Sequence, residues 1–280
     1  MIFDIHYTTT YDYAGAVTDN TNAVRVRPAA NGSQQTTGFE LQVTPSARLF
    51  EHRDYFGTWV HEFDVVRPHE RLSIAVTARV ATTAPVSAPD PAWSALDGAY
   101  AERAAEFLMA HEAARPHPTL TELERLARCD TPLATTLRLS ELIPDTFEYR
   151  SGVTYVGSTV ADLIDGGAGV CQDFVHIALA LLRRLGVAAR YCSGYLFATD
   201  GDTDESIEVE THAWLEVLLP DGSGEGTWVG VDPTNRGLTG ERHVKIGHGR
   251  WYSDVPPVKG IYRGPGGGTL TARVTMTRLG

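Results

Sequence analysis

Cysteine is scarce in this chain: three in 280 residues, at Cys129, Cys171 and Cys192. No Cys-x-x-Cys pair occurs, which excludes a zinc or redox site of that kind. Three scattered thiols are also too few for a disulfide framework. Long hydrophobic runs are missing, since none approaches the ~18 apolar residues of a membrane helix. Met1-Ile2-Phe3-Asp4-Ile5-His6-Tyr7 has neither a basic start nor an apolar stretch of the leader type. A soluble, cytoplasmic protein with no membrane partner is therefore expected. Basic residues are outnumbered, with Lys+Arg 24 against Asp+Glu 35 and a net charge of -11. Such a surface repels phosphate, so nucleic acid is not an expected partner. His61-Glu62 and His111-Glu112 begin like zinc motifs, but Val65 and Arg115 stand where the second ligand belongs. The glycines at 166, 167 and 169 lead to no Gly-Lys-Ser/Thr, and no acidic loop has calcium-ligand spacing. No metal and no cofactor is expected.

What remains is an ordinary globular composition, 42% hydrophobic and 21% charged, which excludes a largely disordered chain. At roughly 150 residues per domain the length suits about two domains. Residues 1–84 alternate apolar and polar at 2–7, 23–27, 39–43, 58–65 and 72–80, with Gly, Pro and Asn between the runs. This pattern predicts an antiparallel β-sandwich. Residues 84–91 are proline-rich and mark the expected boundary, with a second domain over 92–280. There the pattern becomes helical at 97–111, 119–127 and 131–143, the last ended by Pro144. Ser158 is placed to cap a short helix at 159–164. A stronger helix starts near Cys171 and runs to Gly186, with Phe174, Ile177, Ala178, Leu181, Leu182 and Leu185 on one stripe. Strands are expected at 189–196, 208–219, 227–231 and 269–277. The one low-complexity tract is Gly264-Pro265-Gly266-Gly267-Gly268, in which Gly266 to Gly268 reads as a hairpin loop. The class is α+β, with a helix packed on an antiparallel sheet.

Chemistry concentrates in the second half. Stepping back three residues from Phe174 puts Cys171 on the same stripe, in the first helical turn. A helix start offers unpaired N–H groups and partial positive charge, which favours thiolate over thiol. Gly169, just before it, lets the backbone or a substrate approach closely, and the Cys171 N–H is a natural oxyanion donor. A thiol nucleophile needs a base. In the strand 209–219, His212, Trp214 and Glu216 share one face, so His212 stands beside a tryptophan. Asp232 ends the strand before Pro233, where an adjacent strand would bring it to His212 to hold the imidazole tautomer. Trp214 is a candidate pocket wall, and Gln172 is a candidate for polarising the site. Taken singly, each residue has an ordinary reading: an inert packing thiol, a hydrogen-bonded core histidine, an Asp-Pro turn. Their order and setting carry the functional one.

Four motifs, Gly169-Val170-Cys171-Gln172-Asp173-Phe174, Ala188-Ala189-Arg190-Tyr191-Cys192-Ser193-Gly194-Tyr195-Leu196, Thr211-His212-Ala213-Trp214 and Val231-Asp232-Pro233-Thr234-Asn235, resemble the bacterial transglutaminase-like proteins of the papain-like superfamily. Phe147-Glu148-Tyr149 with Gly152-Val153-Thr154, and Gly249 to Gly260, are similar to that family's flanking motifs, and residues 1–84 to its N-terminal β domain. Thr58 and Cys192 depart from its pattern. The resemblance implies a catalytic triad of Cys171, His212 and Asp232, acyl transfer through a thioester, and no cofactor. Its substrate would be a peptide, protein or small amide. Hydrolysis is the expected outcome by family analogy; transfer to an amine is the alternative, and a non-catalytic binding module of the same fold is the rival. The acidic run Asp200-Gly201-Asp202-Thr203-Asp204-Glu205 could favour basic substrates, and homo-oligomerisation is left open.

Overall fold

The alternation that opens the chain continues without a break as one strand, β1 (Ile2–Val24), 23 residues long. Its first part buries Phe3, Ile5, Tyr7 and Thr9, all odd positions, whereas its last part buries Asn20, Asn22 and Val24, all even. Val17 is still odd and buried, so the change of parity falls between Val17 and Asn20, where the register against a neighbouring strand shifts between Thr18 and Thr21. An irregularity of this kind re-aims every later side chain, because side chains alternate with a period of two. It also makes one strand look like two in the sequence.

The structure is a computed structural model and describes residues 1–279 except 86, 111–116, 154–157, 200–203, 209 and 210. The His111-Glu112 and Arg115 positions, Thr154, Val209 and most of the acidic run lie outside the described residues. After β1 come β2 (Gln34–Thr44), β3 (Phe50–Arg53), β4 (Trp59–Val65) and β5 (His69–Thr82). Helices follow: α1 (Gly98–Arg103), α2 (Ala105–Leu108), α3 (Pro118–Ala127) and α4 (Pro132–Thr146). Then come β6 (Glu148–Tyr149), α5 (Val160–Gly166), β7 (Ala168–Gly169) and α6 (Cys171–Arg184). The chain ends in β8 (Ala189–Leu196), β9 (Glu205–Glu208), β10 (His212–Leu219), β11 (Thr227–Asp232), β12 (Gly237–Leu238), β13 (His243–Gly249), β14 (Val258–Arg263) and β15 (Gly268–Arg278).

One antiparallel sheet of eight strands curls around β1, whose first part pairs with β5 and β15 and whose last part pairs with β4 and β14. The fold is α+β, as expected. The division at 84–92 does not follow this sheet, because β9, β14 and β15 join it from the far half of the chain. That linker marks where helices begin. Nor is the 266–268 run a hairpin loop: β14 and β15 both run antiparallel to β1, one after the other, so the glycines form a corner along a single path. A second antiparallel sheet has the order β12-β11-β10-β8-β13.

This five-stranded sheet is the middle layer. Helix α6 packs Phe174, Ile177, Leu181 and Leu182 against Ala213, Leu215 and Val217 on one face, all essentially dry. Burying such a side chain stabilises the fold by about 1.5–3 kcal/mol. On the other side, Tyr195, Phe197, Val244 and Ile246 join the core of the curled sheet. Two local expectations need correction. The short helix α5 is capped by Thr159, not Ser158: Thr159 accepts from the Asp162 amide and Asp162 in turn accepts from the Thr159 amide. Pro144 lies inside α4, which runs two residues further; so close to the end, a proline removes only one ladder bond.

Candidate active site

Cys171 is the first residue of α6, as the spacing predicted. Asp173 fixes that start, its Oδ2 accepting the Val170 amide at 2.9 Å. Gly169 makes room for this carboxylate, since a Cβ there would stand 2.8 Å from Asp173 Oδ2 and 2.7 Å from Leu163 Cδ1. The expectation that Gly169 lets a substrate approach is thus corrected: it is buried, and what approaches it is Asp173. The amides of Cys171 and Gln172 lie in the first turn, where an α-helix supplies no acceptor of its own.

His212 begins β10 and is paired with Gly194 across the sheet. The strand's alternation puts His212, Trp214 and Glu216 on the face away from α6, which packs on Ala213, Leu215 and Val217. The thiol and the imidazole therefore meet at the end of the strand rather than across its face. His212 Nε2 lies 2.7 Å from Asp232 Oδ2, and the ring also hydrogen-bonds Cys171. With Nε2 committed to the carboxylate, Nδ1 is the nitrogen left for sulfur. The structure thus brings all three expected residues together.

Asp232 closes β11, is fully buried, and accepts five hydrogen bonds. Oδ1 takes the amides of Thr234 at 2.9 Å and Asn235 at 3.1 Å. Oδ2 takes His212, the Asn235 side chain at 2.7 Å and His243 Nε2 at 3.0 Å. Burial alone would raise this carboxyl; the bonds to the two imidazoles outweigh it and hold Asp232 well below the usual carboxylate range. For His212, burial would favour the neutral ring, but the hydrogen bonds to Asp232 and Cys171 prevail and lift it to about 10. A histidine raised from 6.5 to about 10 adds stability that is fully present below 6.5 and is lost as pH climbs through 10. Thermal unfolding should therefore show a fall in melting temperature between pH 8 and 10 that His212→Ala flattens; an equal fall in both proteins would rule out this ion pair as the source.

Asn235 and His243 were not singled out by sequence reasoning. His243 opens β13, just as His212 opens β10, and that shared position was the available signal. Which carboxylate it meets depends on long-range strand order. His212, Asp232 and His243 also present donor atoms within 4.8 Å of one another, a grouping suited to a metal. Both imidazoles aim Nε2 at the same Oδ2, however, so their ring protons fill the space a cation would need. The grouping is a hydrogen-bonded one.

Cys171, Gln172 and His212 open onto a cleft of about 620 Å³, walled on one side by Tyr7 and Tyr11 of β1 and on the other by Tyr191 and Tyr252. The curled sheet thus forms one wall of the site. Trp214 is not on that wall. It is buried behind His212, edge-on to His243 at 5.4 Å between ring centroids. Tyr191 is buried beside the sulfur; burial, then the charge of Cys171, pushes its phenol well above the ordinary range. A larger cavity of about 770 Å³ lies near Arg190, Glu216 and Lys245, and none of Cys171, His212 and Asp232 lines it.

A helix-borne cysteine, a strand histidine and a buried aspartate on this sheet define a transglutaminase-like protein of the papain type. Residues 3–81 match the bacterial transglutaminase-like N-terminal region, and residues 123–233 match the transglutaminase-like superfamily. An uncharacterised protein of Mycobacterium leprae is 31% identical over 98% of this chain and 97% of its own. Another, from Mycobacterium tuberculosis, is 34% identical over 92% of this chain and 87% of its own. A crystal structure of a candidate cysteine protease from Cytophaga hutchinsonii superimposes with a TM-score of 0.74 at 25% identity, covering 100% of this chain and 91% of that one. The chain belongs to the bacterial transglutaminase-like family.

Proposed function

We propose that this protein is a cysteine-dependent amidase or peptidase that works through a thioester. The observation that carries the reading is the relay of contacts from Cys171 to His212 to Asp232 beside an open cleft. The Cys171 sulfur attacks the carbonyl carbon of an amide and a C–S bond forms. The oxyanion is held by the Cys171 N–H, with Gln172 as the candidate second donor on the cleft wall. His212 gives its proton to the leaving amine as the C–N bond breaks. Water then yields a proton to His212 and attacks the thioester, releasing a carboxylic acid and the free thiol. Asp232 accepts the His212 Nε2–H throughout and sets the tautomer. The tyrosine-lined cleft suits an uncharged acyl group in a peptide, protein or small amide.

The test needs no substrate. Iodoacetamide should alkylate Cys171 rapidly at neutral pH, and His212→Ala should slow it by about 10²-fold or more, the usual contribution of a positioned base. Unchanged alkylation in that variant would leave only a binding module. An acyl-enzyme formed from an activated ester and followed by mass spectrometry should then discharge to water; discharge mainly to a dilute primary amine would make the protein a transferase instead.

A further inference from the structure

Two imidazoles share one oxygen of Asp232, and only one of them belongs to the proposed relay. His243 places Nε2 3.0 Å from Oδ2, against 2.7 Å for His212. Its Nδ1 accepts the Gly240 amide at 3.2 Å, so its proton sits on Nε2 and points at the carboxylate. The ring is half-buried, and the edge of Trp214 packs against it at 5.4 Å. Trp214 in turn lies alongside His212 at 6.3 Å. The groups facing His243 are therefore Asp232 from β11, His212 and Trp214 from β10, and the Gly240 amide from the preceding turn. Lys245, two residues along β13, is bound to Glu216 and is not available to it. This is a braced corner, held by one amide and one indole, with its proton aimed at the carboxylate that steers the reactive histidine.

We infer that His243 is a positioning residue for acyl transfer: by donating to Asp232 Oδ2 it sets where that oxygen sits and how strongly it draws on the His212 proton. The inference rests on the reading of Cys171, His212 and Asp232 given above. Oδ1 is held by two amides and Oδ2 by the Asn235 side chain; His243 adds an anchor from a separate strand, which limits how far Oδ2 can follow His212 as the ring gives up and regains its proton. As a third donor on Oδ2, beside His212 and the Asn235 side chain, His243 also spreads the negative charge, so the proton stays on His212 without being gripped too tightly to leave.

The experiment compares His243→Phe, which keeps a ring and deletes the N–H, with His243→Gln, which returns a donor. Iodoacetamide alkylation of Cys171 is measured against pH, with melting curves as a check on folding. In His243→Phe, Oδ2 is relieved of one donor and holds His212 more strongly. The alkaline limb, where His212 loses its proton, should move up by about one pH unit, the scale of one hydrogen bond to a charged group. Alkylation at neutral pH should fall severalfold, and His243→Gln should restore both. If His243→Phe does not fold, His243→Asn replaces it, since its shorter amide stops short of Asp232. An unmoved limb and a wild-type rate in the folded variant, with His212→Ala still slow, would overturn this inference and leave the relay intact. Unchanged alkylation in His212→Ala would overturn the relay itself.

Discussion

Asp232→Asn should lower the rate of acyl-enzyme formation by roughly 10⁴-fold, the scale at which a wrongly set histidine tautomer acts in a triad, while the protein still folds. The argument lies in the donors around the carboxylate. Oδ1 faces two backbone amides, Thr234 and Asn235, which cannot become acceptors. An asparagine must therefore keep its oxygen there and turn its NH₂ toward Oδ2's neighbours. Those neighbours are His212 Nε2, His243 Nε2 and the Asn235 side-chain amide, all of which now donate. To accept from the new NH₂, His212 must move its proton from Nε2 to Nδ1, the nitrogen that faces Cys171. The ring then presents N–H where a base is needed. It also loses the carboxylate that holds it up at about 10, so its proton affinity falls. Pre-steady-state release from an activated ester reads the acylation rate, and alkylation against pH reads the histidine. A variant that acylates within tenfold of wild type would remove Asp232 from the proposed chemistry.

How much of this was legible from residues alone varies with the range of the cause. The start of α6 and its buried stripe were readable, because a period of three and four residues is local and strong. The bounds of β8, Ala189 and Leu196, were also read as they stand in the structure. Cys171, His212 and Asp232 were legible as a set through motif order, and the structure brings them together. What escaped depends on contacts between distant segments. The continuity of β1 was hidden by its parity change, and the roles of β14 and β15 by pairings with residues more than two hundred positions away. Gly169 and Trp214 stood out correctly but for the wrong reason. Both looked like cleft features, yet one seats a capping carboxylate and the other backs the histidines. Thr159 won the cap over Ser158 because Asp162 lies three residues beyond it, completing a reciprocal pair.

Gly194→Ala carries the largest expected cost to stability. Gly194 sits in the middle of the five-stranded sheet, opposite His212 on β10 and opposite Lys245 on β13. A Cβ at this position would stand 2.3 Å from the Val244 carbonyl oxygen, 2.4 Å from Trp214 Cη2 and 2.8 Å from Trp214 Cζ3. The indole could yield by turning, but it would turn into His243 and His212. The carbonyl is backbone and yields only if β13 itself moves. Overpacking of this kind costs about 3 kcal/mol, which in a chain this long lowers the melting temperature by roughly 6 °C or more. Because the displaced ring backs both imidazoles, alkylation of Cys171 should slow along with the loss of stability. Substituting Trp214→Phe in the same chain removes the two indole carbons and should recover part of the loss. It cannot recover all of it, since the Val244 carbonyl still stands in the way. Melting curves and alkylation rates for the two single variants and the double variant separate these contributions. A Gly194→Ala protein that melts within about 1 °C of wild type would show that the sheet can open at this point, and that Trp214 does not hold the histidines in place.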